Sequence, residues 1–308
     1  MTTALLFPGQ GSHRAGALAA WAGHPAARIL DEVTVGVGRD LVAVSEDPTA
    51  GERTADAQPV IMAAALVAWQ ALDDAGLTPV LVAGHSLGEY TAAIAAGAMS
   101  VADGARVVAA RGAAMGRACA ATPGTMAAVI KLNPQAVEVL VDGIEDLVIA
   151  NDNAPGQVVV AGTPAAVATL KERARDAGGR ALPLQVEGAF HSPAMAPAVA
   201  EVRAALDAVT VADPRIPVVS GATAHEVTLG RDLAEVLVAG ILSPVRWREV
   251  QERLVALGVT EVVEVGPGGV LAGLARRTMP EVTVHTVATP DDLEVVLPRL
   301  AATVSAHP

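Results

Sequence analysis

Cysteine is nearly absent from this sequence: Cys119 is the only one among 308 residues. A single thiol excludes an internal disulfide, and no group of cysteine and histidine residues has the spacing of metal ligands. The sequence therefore predicts a protein of a reducing compartment whose site works with no metal and no cofactor.

Aromatic residues are equally scarce, with three Trp, two Phe and one Tyr, and the formal net charge is -12. Modules that bind nucleic acids stack bases on aromatic side chains and present positive surfaces to the phosphate backbone. The composition therefore argues against a nucleic-acid partner, although local basic patches remain compatible with it.

Long apolar runs are also missing. The N-terminus has no basic segment followed by a long apolar run, and no uninterrupted apolar stretch approaches the ~20 residues of a membrane-spanning helix. With 52% hydrophobic residues, the chain can still bury one large core or two unequal ones. These features predict a soluble cytoplasmic protein without a membrane partner, and a monomer is the simplest expectation.

The first chemical motif is a serine between two glycines, Gly84-His85-Ser86-Leu87-Gly88-Glu89. The apolar run 79–83 before it is typical of a buried strand, and the alanine-rich segment 90–96 after it is typical of a helix, so Ser86 falls at a strand-to-helix turn. Side chains at 84 and 88 would collide with backbone in so sharp a turn. The free N–H groups of the helix would face a developing oxyanion. The pattern predicts a nucleophile elbow, although a Gly-Ser turn that only caps a helix has the same local sequence.

Two further glycine-rich turns follow predicted strands. Residues 4–7 precede Gly9-Gln10-Gly11-Ser12, and residues 261–265 precede the turn 266–269. In an open α/β sheet the loops at the carboxyl ends of parallel strands gather around one crevice. Gln10 is therefore expected near Ser86, although Gly-Gln-Gly after a strand, taken alone, is more typical of a plain turn.

One arginine is predicted to point inward. Ser100 begins a helix that runs to about Arg117, and within it Val108, Arg111 and Met115 follow the spacing i, i+3, i+7. Arg111 thus shares a face with two apolar residues. A buried guanidinium needs an anionic partner, and an internal salt bridge and a bound ligand explain this spacing equally well.

The middle of the chain has a different order of predicted strands and helices. Predicted strands and helices between 122 and 190 follow the order β-α-β-β-α-β, which is the split pattern of ferredoxin-like folds. We therefore predict an α/β fold with a hydrolase-like parallel-sheet large domain, 1–121 and 191–308, and an inserted ferredoxin-like small domain, 122–190. The segment 151–156 is most simply the hairpin turn between its middle strands, and a substrate contact by Asn153 is an alternative.

A histidine follows the insert in Gly188-Ala189-Phe190-His191-Ser192. A lone histidine between two domains has a structural role as often as a functional one. Ser86, however, needs an imidazole to accept its proton, and His85 adjoins Ser86 on the turn and is expected to point elsewhere. His191 is the best candidate for the base.

Taken together, these motifs resemble malonyl-CoA:acyl carrier protein transacylases over essentially the full length of the chain. The segments that carry the resemblance are 7–12, 84–89, Arg111, 188–192, Pro244-Val245-Arg246-Trp247 and Glu264-Val265-Gly266-Pro267-Gly268. The resemblance implies malonyl-CoA and a holo acyl carrier protein as partners, in fatty-acid or polyketide synthesis. It also implies a ping-pong exchange through a serine-linked acyl-enzyme.

The resemblance also implies a role for each site residue. Ser86 would attack the thioester, His191 would act as base and then acid, and the backbone N–H groups of Gln10 and Leu87 would hold the oxyanion. Arg111 would grip the free carboxylate of the malonyl group, which matches its predicted inward direction.

The sequence departs from the family pattern at the residue that orients the histidine. That carbonyl usually belongs to a glutamine, and Gly240 occupies its position here. Three smaller departures are His13, Gly116 and Gly221. Phe190 before His191 resembles the malonyl-selecting version of the motif, and methylmalonyl-selecting relatives have a smaller residue there.

Three alternatives follow from the same residues: an acyl-thioester hydrolase on this scaffold, which Arg111 disfavours, a transacylase for another short acyl-CoA such as methylmalonyl-CoA, and a non-catalytic module that docks carrier proteins. Because carrier proteins are typically acidic, we expect a basic patch at the mouth of the site. Its candidates are Arg246, Arg248, Arg276 and Arg277.

Overall fold

The computed structural model describes residues 2–304, and these form ten strands and twelve α-helices. The strands are β1 (Thr3–Phe7), β2 (Leu81–Gly84), β3 (Thr125–Ile130), β4 (Leu147–Ala154), β5 (Gln157–Gly162), β6 (Arg180–Pro183), β7 (Val218–Val219), β8 (Glu226–Val227), β9 (Glu261–Val265) and β10 (Thr283–Val287). The helices are α1 (Ile29–Val37), α2 (Leu41–Glu46), α3 (Thr54–Asp74), α4 (Leu87–Ala95), α5 (Val101–Ala121), α6 (Pro134–Val141), α7 (Pro164–Asp176), α8 (Ala196–Asp207), α9 (Gly230–Ala239), α10 (Trp247–Ala256), α11 (Val270–Thr278) and α12 (Pro290–Val304).

Six strands form one sheet in the order β10-β9-β1-β2-β7-β8. The first five are mutually parallel, and β8 pairs with β7 in the antiparallel sense. Every residue of β1, β2 and β9 is buried, as expected for parallel strands covered on both faces. The predicted α/β fold with a parallel sheet is confirmed.

The register of this sheet brings the glycine-rich turns together. Phe7 lies opposite Gly84 on β2, and Leu6 lies opposite Glu264 on β9. The three turns that leave β1, β2 and β9 therefore open at the same edge of the sheet, where ligand crevices form in open α/β folds.

A second sheet lies within the middle of the chain. Its strands follow the order β4-β5-β3-β6 and are all antiparallel, and the elements from β3 to β6 have the predicted order β-α-β-β-α-β. Our placement of a turn over 151–156 is wrong at its start, because β4 continues through Ala154. The extension forms because Asn151 bridges Val245 and the Asp152 N–H donates to the Val245 carbonyl at 2.9 Å, which ties β4 to the segment between α9 and α10.

Helix α3 begins at Thr54, four residues before its lone buried amide, Gln58. The Glu187 carboxylate accepts the Thr54 N–H at 2.6 Å, so a residue 133 positions away serves the first turn of the helix. By length and composition α3 could cross a membrane, but 83% of that segment is buried inside the structure. It is the central helix of the core.

Helices α8 and α9 were not predicted, and neither was α1. In α8 the buried residues Ala198, Val202 and Leu206 recur every four positions, which is a helical pattern. In α9 the buried residues Leu233 and Leu237 have the same spacing. The omission of α9 matters for the site, because Gly240 is its C-cap.

Candidate active site

Ser86 stands at the junction of β2 and α4 in a strained backbone conformation, with φ 53° and ψ -107°. The two flanking glycines permit this turn. A Cβ atom at Gly84 would lie 1.9 Å from the Gly88 carbonyl carbon, and one at Gly88 would lie 2.0 Å from the Phe7 oxygen. The collisions predicted from the sequence are therefore present, and strained backbone of this kind is concentrated at functional sites.

His191 meets Ser86 across 105 positions of sequence. Its Nε2 lies 2.8 Å from the Ser86 Oγ, and only 4% of the residue is exposed. The His191 backbone also has a positive φ, 56°, so both halves of the pair sit in uncommon conformations held by the surrounding structure.

Two carbonyl oxygens orient the imidazole. His191 Nδ1 lies 2.9 Å from the Gly240 oxygen and 3.1 Å from the Ser243 oxygen. Since carbonyls only accept, Nδ1 carries the proton and Nε2 is free to accept from the Ser86 hydroxyl. Gly240 is the C-cap of α9, with ordinary helical angles of φ -59° and ψ -14°. Its carbonyl thus belongs to the unpaired last turn of a helix, and its position does not require a glycine.

The electrostatics keep the imidazole neutral. Burial, reinforced by the charge of Arg111, lowers the pKa of His191 to about 3. An unprotonated ring at neutral pH is the state that a general base requires.

Arg111 is buried beside the serine, with 2% of its surface exposed. Its Nη2 donates to the Ser86 Oγ at 3.1 Å, and its Nη1 donates to the Gln58 Oε1 at 2.7 Å. The guanidinium carbon also lies 5.1 Å from the centre of the Tyr90 ring. Within residues 2–304 no carboxylate forms an ion pair with Arg111. The predicted inward direction is confirmed, and no internal salt bridge accounts for it.

Gln58 is a site residue that the sequence analysis missed. It is 1% exposed, and its Nε2 lies 3.6 Å from the Met115 sulfur. A signal was present, because Pro59 and then ten apolar residues follow Gln58 without another polar side chain. A lone amide in such a helix must find a buried polar partner.

Two backbone donors face the crevice next to Ser86. Neither the Gln10 N–H nor the Leu87 N–H donates to another group within residues 2–304. Leu87 is the first residue of α4, where N–H groups lack helical partners and the helix dipole is positive. The Gln10 side chain is held by Thr54, whose Oγ1 accepts from Nε2 at 3.1 Å.

A cavity of about 290 Å³ opens onto these groups. It is lined by Ser86, His191, Arg111, Gln10, Leu87 and Phe190, and strands of the second sheet contribute to it. The other side chains from the second sheet and its connections are Met126, Ala128, Asn151, Asn153, Gln157, Val159, Leu184 and Val186.

Asn153 lies on the wall of this cavity, but its side chain has a partner in the protein. The Asn153 Oδ1 lies 2.9 Å from the His85 Nε2, and the Asn153 carbonyl accepts from Gln251 at 3.0 Å. The His85 ring also packs edge-on against Trp247. His85 points away from Ser86 as predicted, and it links the nucleophile turn to β4.

The four arginines proposed as a basic patch divide into two pairs. Arg246 is paired with Glu249, and Arg248 is paired with Asp152 and Glu252, so the charge of each is already compensated. Arg276 and Arg277 are exposed on α11, whose first turns line the cavity, and no carboxylate within residues 2–304 pairs with either of them. Arg277 donates to Gln157, a cavity residue, at 2.7 Å.

The site thus combines a hydroxyl, a neutral imidazole oriented by carbonyls, a pair of free N–H groups and a buried cation. A hydroxyl within 2.8 Å of an imidazole can attack a carbonyl carbon and pass on its proton. Free N–H groups beside it can hold the resulting oxyanion. Acyl transfer is the chemistry that uses all of these parts.

Comparison with known proteins agrees with this chemistry. Residues 5–302 match the family model described as acyl transferase domain. The Malonyl CoA-acyl carrier protein transacylase of Bacillus subtilis is 36% identical over 96% of each chain. The structure of an acyl-carrier-protein S-malonyltransferase from Burkholderia pseudomallei is 38% identical, with a TM-score of 0.91 over 97% of this chain and 100% of that one.

A further solved structure contains a carrier protein. It is a malonyl-transacylase in complex with its type II PKS acyl-carrier protein, 32% identical, with a TM-score of 0.91 over 97% of this chain and 100% of that one. Each match covers nearly the whole of this chain and nearly the whole of the protein with which it is compared. The chain therefore belongs to the acyl transferase domain family and, within it, to the malonyl CoA-acyl carrier protein transacylases.

Proposed function

We propose that this protein moves a malonyl group from malonyl-CoA to the phosphopantetheine thiol of an acyl carrier protein, through an ester on Ser86. The observation that carries the proposal is the position of Ser86 Oγ, 2.8 Å from the His191 ring and 3.1 Å from the Arg111 guanidinium. A nucleophile that contacts both its base and a buried cation with no direct ion pair fits an acyl group that ends in a carboxylate.

In the first half-reaction the Ser86 oxygen attacks the thioester carbon while its proton passes to His191 Nε2. The N–H groups of Gln10 and Leu87 hold the oxyanion. The Gly240 carbonyl stabilises the imidazolium, because it accepts from Nδ1–H and lies at the negative end of the α9 dipole. The carbon–sulfur bond then breaks, and His191 returns the proton to the departing thiolate of coenzyme A.

In the second half-reaction the carrier thiol occupies the place of coenzyme A. His191 accepts its proton, the sulfur attacks the ester carbon, and the proton returns to the Ser86 oxygen as the ester bond breaks. One group therefore acts as base and acid in both directions, which is the sequence of a ping-pong exchange.

Substrate selection is proposed to rest on Arg111 and Phe190. Arg111 offers parallel N–H donors to the malonyl carboxylate, an arrangement that acetyl-CoA cannot use. Phe190 is 6% exposed and lines the same cavity, so its ring restricts the space for a substituent on the malonyl carbon. Asn153, whose Oδ1 is engaged by His85, would contact substrate only through the remainder of its side chain.

We also infer the domain organisation from the two sheets. Residues 1–121 and 191–308 would form the discontinuous catalytic domain, and 122–190 an inserted ferredoxin-like subdomain, since the strand order β4-β5-β3-β6 is the one that such a fold requires. We expect a cytoplasmic monomer that needs no metal or cofactor.

The direct test of this function follows the acyl group by intact-protein mass spectrometry. Malonyl-CoA should add one malonyl group to the protein, and holo acyl carrier protein should remove it and gain the same mass. Loss of the adduct to water, at a rate that the carrier protein does not change, would support the hydrolase alternative instead. An adduct that forms faster from methylmalonyl-CoA would reassign the donor.

Carrier docking is proposed to involve Arg276 and Arg277, the two uncompensated cations beside the cavity. Arg276→Glu should lower kcat/KM for the carrier protein by about tenfold, because charge reversal weakens association with an acidic partner. Arg175→Glu is the matched control, since Arg175 is 75% exposed on α7, which contributes nothing to the cavity. Equal effects of the two substitutions would remove α11 from the docking surface.

A further inference from the structure

A buried carboxyl lies behind the nucleophile and has no part in the chemistry described above. Glu89 is on the first turn of α4, three residues after Ser86, and is 4% exposed. Its Oε1 has no hydrogen-bond partner within residues 2–304. Burial of a carboxyl group with an unsatisfied oxygen costs folding free energy, unless a nearby group of opposite charge offsets that cost.

The charged group nearest in function to Glu89 is Arg111, which lines the same small cavity. Glu89 lines a small cavity of about 10 Å³ together with Ser86, His191 and Arg111, the three residues that also line the main cavity. Glu89 is the one carboxyl in its lining. The cationic charge of Arg111 favours the ionised form of Glu89 across this gap. The two side chains are therefore coupled through space without a direct ion pair.

Few other charges act on Glu89. Burial raises the pKa of Tyr90, its neighbour on α4, to about 12, and the pKa of His191 is lowered to about 3, so both are neutral near pH 7. From the segment after β7, the Ser220 hydroxyl and the Gly221 N–H favour the charged form. Burial outweighs these groups and raises the pKa of Glu89 to about 7. A modest change in its surroundings is therefore enough to change the protonation of Glu89 near neutral pH.

We propose that Glu89 balances the charge of the acyl site, ionised while Arg111 has no substrate and protonated when the malonyl carboxylate binds Arg111. This inference rests on the carboxylate role proposed for Arg111. A second anion beside the guanidinium removes much of the attraction that keeps Glu89 ionised, and two buried carboxylates around one cation repel each other. Glu89 acts on the substrate only through Arg111, so it is a positioning residue and not a catalytic one.

Proton uptake is the measurement that tests this proposal. The acylation itself is neutral in protons, because the Ser86 proton leaves on the thiol of coenzyme A. In a weakly buffered indicator solution at about pH 7.5, malonyl-CoA should cause uptake of roughly half a proton or more per acyl-enzyme, given a free pKa near 7. Acetyl-CoA brings no carboxylate and should cause none.

Glu89→Gln keeps the shape of the side chain and removes its titration. The variant should still form the malonyl-enzyme but without proton uptake. In wild type the equilibrium constant for malonylation should fall by up to about tenfold per pH unit above pH 7, and in the variant it should stay flat. Glu261→Gln is the matched control, since Glu261 is 5% exposed at the opposite end of β9 and should leave the uptake unchanged.

Equal proton uptake with malonyl-CoA and acetyl-CoA in wild type would overturn the proposal, even if Glu89→Gln failed to fold. Proton uptake that persists in a folded Glu89→Gln variant would overturn it as well. Both results leave the transfer of malonyl groups intact, whereas an Arg111→Ala variant with unchanged donor preference would remove the carboxylate role on which the inference rests.

Discussion

Ser86→Ala is expected to abolish formation of the acyl-enzyme and to lower kcat by at least about 10⁴-fold. The methyl group that replaces the hydroxyl cannot attack a thioester, and among residues 2–304 no other hydroxyl lies within hydrogen-bond reach of the His191 Nε2. Any residual transfer would need direct attack by the carrier thiol, with only the N–H pair and Arg111 to assist it. A two-step exchange would thus become a single slow displacement.

Mass spectrometry after addition of malonyl-CoA should show the adduct on wild type and its absence from Ser86→Ala. Ser45→Ala provides the matched control, because Ser45 is a buried serine that donates to the Val42 carbonyl and lies on α2 outside the cavity. A malonyl adduct on a folded Ser86→Ala protein would transfer the nucleophile to another residue and remove the elbow from the mechanism.

The site residues that could be predicted from sequence are those with a local pattern. Ser86 is marked by glycines on both sides at the end of an apolar run, and Arg111 by the helical period of the apolar residues around it. His191 has no pattern of its own. It was found because a serine nucleophile requires a base, which is a chemical argument and not a structural one.

The features that could not be predicted depend on contacts between distant parts of the chain. The start of α3 at Thr54 depends on Glu187, and the extension of β4 through Ala154 depends on Val245. Helical propensity and hydrophobic period report only on neighbours within a few positions. Neither measure detects an N–H group whose hydrogen-bond acceptor lies more than ninety positions away in the sequence.

Gly240 illustrates both sides of this limit. Its role was assigned by resemblance, and the change from glutamine left the placement of its carbonyl open. The structure shows why the change is tolerated: the residue caps α9 in an ordinary helical conformation, and the group that His191 contacts is backbone. The Gly240 carbonyl is free to accept from His191 because it lies at the end of α9. Since α9 was not predicted, nothing in the sequence gave a reason to expect a free carbonyl there.

Arg111→Ala is expected to change the donor preference from malonyl-CoA toward acetyl-CoA. Loss of a buried, charge-assisted contact is worth about 2–5 kcal/mol, so kcat/KM for malonyl-CoA should fall on the order of 10²- to 10³-fold. Acetyl-CoA makes no use of the guanidinium, and the space left by the side chain does not hinder its smaller acyl group. The ratio of the two kcat/KM values, measured with one preparation, reports the change directly.

Two further variants separate charge from geometry. Arg111→Lys keeps the positive charge but loses the parallel donors and the contact with Gln58, so it should recover only part of the malonyl preference. Arg106→Ala removes an arginine from the same helix whose side chain is 51% exposed and paired with Asp103, and it should change neither donor.

The ratio also distinguishes specificity from a general loss of the site. Arg111 donates to the Ser86 oxygen in the free protein, so its removal could disturb the nucleophile itself. Such a disturbance would lower kcat/KM for both donors by the same factor and leave their ratio unchanged. A ratio that stays at the wild-type value would therefore show that Arg111 serves the serine and not the carboxylate, and malonyl selection would have to come from the shape of the cavity around Phe190.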